Sequence, residues 1–457
     1  MYIFSFIKNF IHNLKPQTLL VLGFLLVILL GAVLLTFEFA SKTSSLNFID
    51  ALFMAASATC VTGLAVVDIG TTLSFTGQII ILLLIQIGGL GVMTFSTFLL
   101  LLIRGRFGIA SRELIQETLT YFDNIEIASL LKTVFSFAFV TEFIGAVLLS
   151  IRFAFDMPFA DALYSGIFHS ISAFCNAGFS IYSDSLMKYQ SDVFVNFVFI
   201  GLIILGGIGF IVAFEVKNQF KKKLSWHNFS LHSKIVLSFT PILIIAGFFF
   251  IFFLEFNHSM KELDFGTKIL ASLFQSVTSR TAGFNTVDIS NISISSIVII
   301  SMLMFIGASS ASCGGGIKTS TFVVVLSYIK ARINSSNNVN LFYSSIPQNI
   351  VVKSILIFSF SFFTIVLFSF LLAVVELQGG SLYEEGTIYI QLVFETVSAF
   401  GTVGLSTGIT PSLSDIGKLL VSVLMFIGRL GPITIALVMG TKENIEIKYA
   451  EDKIIVG

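Results

Sequence analysis

Apolar positions in this chain neither alternate nor fall into the stripes of a water-soluble helix; they run on. Thr18–Phe37, Ile79–Leu102 and Ile355–Val375 are each about 20 residues or longer and nearly free of charge, enough for a helix to cross a hydrocarbon layer of about 30 Å. A soluble helix of that length would carry a polar face. Apolar segments near 17–38, 74–103, 129–153, 191–216, 234–256, 293–330, 350–377 and 414–440 predict eight membrane-crossing helices in four consecutive pairs. Within each pair lies a shorter apolar stretch that ends in a glycine turn.

Those turns are versions of one cassette. They read Ala58-Thr59-Cys60-Val61-Thr62-Gly63-Leu64, Ala173-Phe174-Cys175-Asn176-Ala177-Gly178-Phe179, Thr278-Ser279-Arg280-Thr281-Ala282-Gly283-Phe284 and Ala399-Phe400-Gly401-Thr402-Val403-Gly404-Leu405. Their glycines are spaced 115, 105 and 121 residues apart, so the chain reads as a fourfold array. Repeats are expected at 1–128, 129–233, 234–349 and 350–457, each a helix, a half-helix with its turn, and a second helix. The predicted fold is an all-α integral membrane protein, with eight transmembrane helices and four re-entrant half-helices around one central pore.

The half-helices start on capping or acidic residues (Asn47 or Asp50, Asp161, Thr267, Glu385), which suit the positive end of a helix dipole. Their negative ends then aim at the turns. Glycine there permits φ > 0, and four turns around one axis can present a ring of backbone carbonyls, the construction of a cation filter. Irregular backbone at this depth is tolerated where it lines a cavity or is buried in protein.

Composition agrees with a membrane protein. The chain is 55% hydrophobic and 11% charged, with mean hydropathy +0.96 and zero net charge, so no basic surface argues for nucleic acid. With the N-terminus inside, 18 of the 26 Lys and Arg fall on the cytoplasmic side, among them Lys8, Lys15, Arg104, Arg106, Arg112 and Lys221–Lys223. The positive-inside rule therefore places both termini in the cytoplasm. External segments gather acids such as Asp50, Asp68, Asp161, Asp184, Glu262 and Asp264, and Lys221–Lys223 reads as a topology anchor. The three cysteines, Cys60, Cys175 and Cys313, suit small buried residues and no disulfide framework. The first apolar run reads as a retained helix.

Two further features are unusual for membrane-crossing helices. Ala308 to Gly316 is a run of small residues ending in Gly314-Gly315-Gly316, where helix costs about 1 kcal/mol per glycine relative to alanine. A flexible intramembrane loop over 307–321 is expected, with a kinked packing helix as the alternative. Arg429 falls in the last apolar helix, where burial costs roughly 2.5–3.5 kcal/mol unless the side chain faces the pore or a partner. It reads as an electrostatic barrier near that loop, or as a structural arginine paired with Glu142 or another buried acid. Glu142 itself reads as a packing residue, and His169 as a locally bonded one. Gly88-Gly89-Leu90-Gly91 and Gly206-Gly207-Ile208-Gly209 read as packing glycines inside continuous helices.

These motifs resemble the Trk/Ktr/HKT superfamily of potassium transporters across the whole chain. Ser57–Asp68, Ser172–Phe179, Ser276–Asp288 and Ser398–Gly408 follow its filter pattern, and Ile85–Phe95, Met304–Phe322 and Met425–Ile435 its second helices. A length without a large insert and the ending Lys448–Gly457 are most similar to the membrane subunit of Ktr-type bacterial systems. The resemblance implies potassium uptake by a multi-pass protein of the plasma (inner) membrane, not an enzyme, with no covalently bound cofactor and with Na+ as a possible activator. Gly63, Gly178, Gly283 and Gly404 become selectivity glycines, and the carbonyls of Val61, Thr62, Asn176, Ala177, Thr281, Ala282, Thr402 and Val403 the potassium ligands. Gly314, Gly315, Gly316 and Arg429 become the gate. A homodimer docked on a cytoplasmic ring of nucleotide-binding (RCK-type) regulators is also implied. One glycine per turn, against two in the TVGYG filter, predicts weaker discrimination against sodium. The competing reading, a secondary transporter of another small solute, would show broken helices in two halves. A membrane enzyme would need clustered His, Asp or Glu.

Overall fold

The computed structural model describes residues 16–42, 44–91, 127–220, 225–377, 379 and 382–431. The basic anchors at 8, 15, 104, 106, 112 and 221–223, and the ending at 448–457, lie outside these. Apart from one short hairpin, the regular structure of the described chain is helical. The first repeat holds α1 (Pro16–Leu35), the half-helix α2 (Phe48–Thr59), a short α3 (Ile69–Thr72) and α4 (Phe75–Gly89). In the second, α5 (Ile127–Phe153) leads to the half-helix α6 (Phe159–Phe174), then α7 (Val193–Ile208) and α8 (Phe210–Phe220). The third has α9 (Leu231–Glu255), the half-helix α10 (Phe265–Thr278), α11 (Ile294–Phe305) and α12 (Thr319–Ile333). A two-residue hairpin, β1 (Asn340–Leu341) with β2 (Ser344–Ser345), leads to α13 (Gln348–Glu376), the half-helix α14 (Leu382–Gly401) and α15 (Asp415–Leu430).

Of these, α5, α9 and α13 are long and apolar enough to cross a membrane alone. Large apolar side chains such as Leu26, Phe143, Phe253, Phe363 and Phe370 point outward, exposed. On a water-soluble protein such a belt would be an aggregation site; here it is the lipid-facing surface. The centre holds the C-terminal parts of the half-helices, buried and rich in small residues such as Ala55, Ala58, Ala173, Ala271 and Ala399.

The helix pairs are tied at their outer ends by one recurring device. Glu255, closing α9, accepts the amide (3.0 Å) and hydroxyl (2.6 Å) of Ser293, the N-cap of α11. Glu376, closing α13, does the same for Ser414 at the start of α15, at 3.1 and 2.6 Å. In the second repeat an ion pair replaces it, Arg152 Nε to Asp192 Oδ2 at 2.7 Å. Half-helix caps agree with expectation: Asn47 accepts from Asp50 N and Asp264 from Thr267 N, with Thr267 inside the first turn.

The ring closes. The second helix of each repeat packs on the next half-helix: α4 on α6, α7 on α10, α11 on α14, and α15 back onto α2.

Three second helices depart from the sequence reading. They are not continuous over 74–103, 191–216 and 414–440. Instead α4 ends at Gly89, α15 at Leu430, and α7 meets α8 at a 97° bend. The cause is the last glycine of each motif: Gly91, Gly209 and Gly431 sit at φ +96, +95 and +85, conformations that no helix and few side chains adopt. The chain beyond Gly91 and Gly431 lies outside the described residues. In the third repeat the break widens into the loop between α11 and α12; Thr319–Thr321, expected in that loop, are helical.

Candidate functional site

Each half-helix delivers its chain to a turn of the same construction. Two residues before the glycine, Val61, Asn176, Thr281 and Thr402 adopt φ of +58, +60, +72 and +47, and the glycines Gly63, Gly178, Gly283 and Gly404 lie at +98, +69, +79 and +90. A left-handed non-glycine residue costs roughly 1–2 kcal/mol. Finding it four times at one position means that the surroundings impose it. They do so through the residue that opens each turn. Ser57, Ser172 and Ser398 accept at their carbonyls from the amides of Thr62, Ala177 and Val403, each at 2.8 Å. The hydroxyls of Ser57 and Ser398 also accept from Gly63 N and Gly404 N at 3.1 Å, and that of Ser172 donates to Phe179 O at 2.8 Å. The third turn is held one residue later. Thr278 accepts from Ala282 N at 2.9 Å and donates to Phe284 O at 2.6 Å, since Val277, without a hydroxyl, stands where the other turns have serine.

The four turns meet. A methyl group on Gly63 would stand 2.5 Å from Ala177 O, and one on Gly178 would stand 2.9 Å from Gly283 Cα and 3.0 Å from Ala282 O. On Gly283 it would collide still more closely with Val403 O, and on Gly404 with Thr62 O. The order 63, 178, 283, 404 and back to 63 is a closed ring. At each junction stands the carbonyl of the residue preceding a glycine: Thr62, Ala177, Ala282 or Val403. No space remains for a side chain. Four half-helix C-termini, each carrying partial negative charge, converge on this ring. Such an arrangement can coordinate a partly dehydrated cation.

Directly beneath runs the loop from Gly307 to Lys318. It is sewn to the break between α7 and α8: Ser309 N donates to Gly207 O (3.1 Å), Cys313 N to Gly206 O (3.2 Å) and Phe210 N to Ala311 O (2.8 Å). Gly314 lies against the Thr281 hydroxyl and Gly315 against that of Thr402, with no room for a Cβ at either. A Cβ on Gly316 would be 3.3 Å from Gly401 Cα. The triglycine therefore passes under the third and fourth turns. Arg429 Nη1 donates to Cys313 O in this loop and Nη2 to Gly88 O in the first repeat.

Comparison with known proteins agrees with this architecture. The profile of the TrkH family, described as cation transport proteins, matches residues 15–446. The chain belongs to the TrkH family. It is 41% identical over 444 residues to the Ktr system potassium uptake protein B of Bacillus subtilis, covering 97% of each chain. It is also 36% identical over 455 residues to the potassium/sodium uptake protein NtpJ of Enterococcus hirae, covering 98% of this chain and 99% of that one. The crystal structure of the potassium transporter TrkH from Vibrio parahaemolyticus superposes with a TM-score of 0.73 at 19% identity, over 94% of this chain and 86% of that one. TrkH-family proteins move cations and are not enzymes.

Within this TrkH-family chain, two basic residues join Arg429 at the loop, and the sequence reading assigned neither a role. Arg280 Nη2 donates to Thr319 Oγ1 at 3.0 Å and Gly307 O at 3.5 Å, gripping both ends of the loop. Lys318 Nζ donates to Gly314 O at 2.6 Å. Among the described residues no carboxylate pairs with any of the three. The signal that could have found Arg280 is its place in the third cassette, where the others carry Cys60, Cys175 and Gly401. Glu142 does not pair with Arg429; both its oxygens accept from Gln86 Nε2 at 3.1 Å. His169 bonds locally, to Ser165 and Ser180. The cysteines are free and buried.

Proposed function

We propose that this chain is the pore-forming subunit of a potassium uptake system, with one pore per chain. The observation that carries the reading is the closed ring of four glycine turns, each offering its carbonyl to the neighbouring glycine. The potassium ligands are the carbonyls of residues 61–62, 176–177, 281–282 and 402–403, with Gly63, Gly178, Gly283 and Gly404 keeping the path free of side chains. Residues 1–128, 129–233, 234–349 and 350–457 act as four quasi-equivalent units, both termini on the cytoplasmic side of the plasma membrane. Relatives described as potassium uptake and potassium/sodium uptake proteins support the choice of ion. With one glycine per turn, sodium is excluded less strictly than by a filter with two.

The loop with Gly314, Gly315 and Gly316 is the gate, and Arg429 holds it shut by tying it to the first repeat. Opening breaks the bonds to Cys313 O and Gly88 O and carries the guanidinium off the axis. The membrane potential drives entry: 100 mV supplies about 2.3 kcal/mol per charge, roughly a 50-fold accumulation. Sodium acts as an activator, and a homodimer docks on a cytoplasmic nucleotide-binding ring that controls the gate.

The test is rubidium accumulation in proteoliposomes holding the purified chain under an inside-negative diffusion potential. Uptake that potassium competes away, and that collapses with the potential, supports the reading. Potential-independent uptake, or competition by an organic solute instead, contradicts it.

A further inference from the structure

We propose that Glu395 is a positioning residue for ion selection, bracing the fourth turn of the ring from behind through Thr410 and Ser406. The proposal rests on the reading of that ring as the cation filter.

Glu395 lies on α14, three residues before Ser398, and is fully buried. Among the described residues no Lys, Arg or His pairs with it. A carboxyl group at membrane depth without a cation is costly, and such a residue is kept for a function. Its partners are hydroxyls beyond the turn. Thr410 Oγ1 donates to Glu395 Oε1 and stands 3.0 Å from Ser406 Oγ, which accepts from Gly408 N at 2.9 Å. Thr410 is buried as well, so bulk water does not compete for these bonds.

The fourth turn needs this support on one side only. Its entry is held by Ser398, but among the described residues no backbone carbonyl accepts from the amides of Leu405, Ser406 or Thr407 at its exit. The hydroxyl of Ser406, two residues past Gly404, ties that exit back to α14.

The second turn is built alike. His169 also lies three residues before the opening serine, Ser172, and its Nε2 is 2.9 Å from Ser180 Oγ, two residues past Gly178. Ser180 Oγ accepts from Tyr182 N at 2.9 Å, as Ser406 does from Gly408 N. The first turn has Met54 and Ala65 at these two places, and the third has Phe274 and Asn285. Neither Met54 nor Phe274 can make the link. Braced and unbraced turns therefore alternate around the ring, and the two braced ones face each other. Together they fix the carbonyl spacing across one diagonal, where a smaller cation must be refused.

The test is rubidium uptake into proteoliposomes with potassium or sodium as competitor, for wild type, Glu395→Leu, Glu395→Gln, Thr410→Val and Thr410→Ser. The readout is the ratio of the sodium and potassium concentrations that halve uptake. It should fall about tenfold in Glu395→Leu and in Thr410→Val. Glu395→Gln, which keeps the acceptor, and Thr410→Ser, which keeps the donor, should stay near wild type. The double variant Glu395→Leu with Thr410→Val should be no worse than either single change, because both break one chain of bonds. An unchanged ratio in Thr410→Val with a wild-type unfolding midpoint would overturn the proposal, even if Glu395→Leu fails to fold. Equal losses in Thr410→Val and Thr410→Ser would also overturn it, since packing alone would then explain them. Wild-type uptake that potassium does not compete would instead overturn the filter reading itself.

Discussion

Lys418 Nζ and Asp50 Oδ1 lie 2.7 Å apart, although 368 residues separate them in sequence. Asp50 stands in the first turn of the first half-helix and Lys418 on the last described helix, so the pair fastens the end of the ring to its beginning. Both side chains are mostly buried, 11% and 17% exposed. Losing one partner leaves the other's charge poorly compensated. Lys418→Met should cost about 1–3 kcal/mol, read as a lowered unfolding midpoint in detergent. Asp50→Asn with Lys418→Met together should cost less than the two single changes summed.

The four ring glycines are not equally crowded, and the tolerance to alanine should follow the crowding. Gly178 is the most permissive: its φ of +69 is close to what side chains accept, and its nearest neighbours stand 2.9–3.0 Å from a built Cβ. Gly404, at φ +90 and pressed on Thr62 O, is the least. Gly178→Ala should keep most of the potassium-over-sodium preference, whereas Gly404→Ala should lose it. Sodium and rubidium flux ratios measured for the four alanine variants check this order.

Arg429 holds the loop through two charge-assisted bonds. Each bond to a charged donor is worth about 1.5–3 kcal/mol, and 1.4 kcal/mol is tenfold in an equilibrium. Arg429→Ala should therefore raise cation flux about tenfold or more, while Arg429→Lys, able to reach one carbonyl only, should fall between. Initial rates of rubidium uptake at equal protein density measure it. Unchanged rates with normal folding would remove Arg429 from the gate.

The cap at Asp264 supplies a pH test outside the membrane spans. The Thr267 hydroxyl and amide, both donating to it, hold its carboxyl below the ordinary value of 3.8. A depressed carboxyl stabilises the fold above the unfolded pKa and loses that contribution as pH falls through the folded one. Wild type should thus unfold at a higher temperature than Asp264→Ala near neutrality, and the difference should vanish below the ordinary carboxyl range. Thermal scans of both proteins across pH 2–7 decide it.

The four cassettes were legible because one geometric demand, a positive φ against a neighbouring backbone, recurs four times and leaves glycine each time. Gly314–Gly316 was legible for a related reason, since three consecutive glycines cannot hold a helix at membrane depth without support. The breaks at Gly91, Gly209 and Gly431 were not. A lone glycine inside an apolar run serves packing as readily as bending: Gly88, Gly206 and Gly428 pack within their helices against the carbonyls of Thr59, Phe174 and Phe400, and the glycines three residues on break those helices at positive φ. Arg280 and Lys318 were missed because their partners are backbone carbonyls and a hydroxyl, which leave no charge pattern to read.

On this structure the closed ring of glycine turns selects the ion. Isotopic rubidium uptake into proteoliposomes, competed by potassium or sodium, for wild type beside Gly283→Ser, tests that selection. Gly283 is at φ +79 and faces Val403 O, so a side chain there opens the ring. Potassium should compete far better than sodium in wild type, and sodium should compete nearly as well in Gly283→Ser. Equal selectivity in both proteins, each correctly folded, would contradict the account.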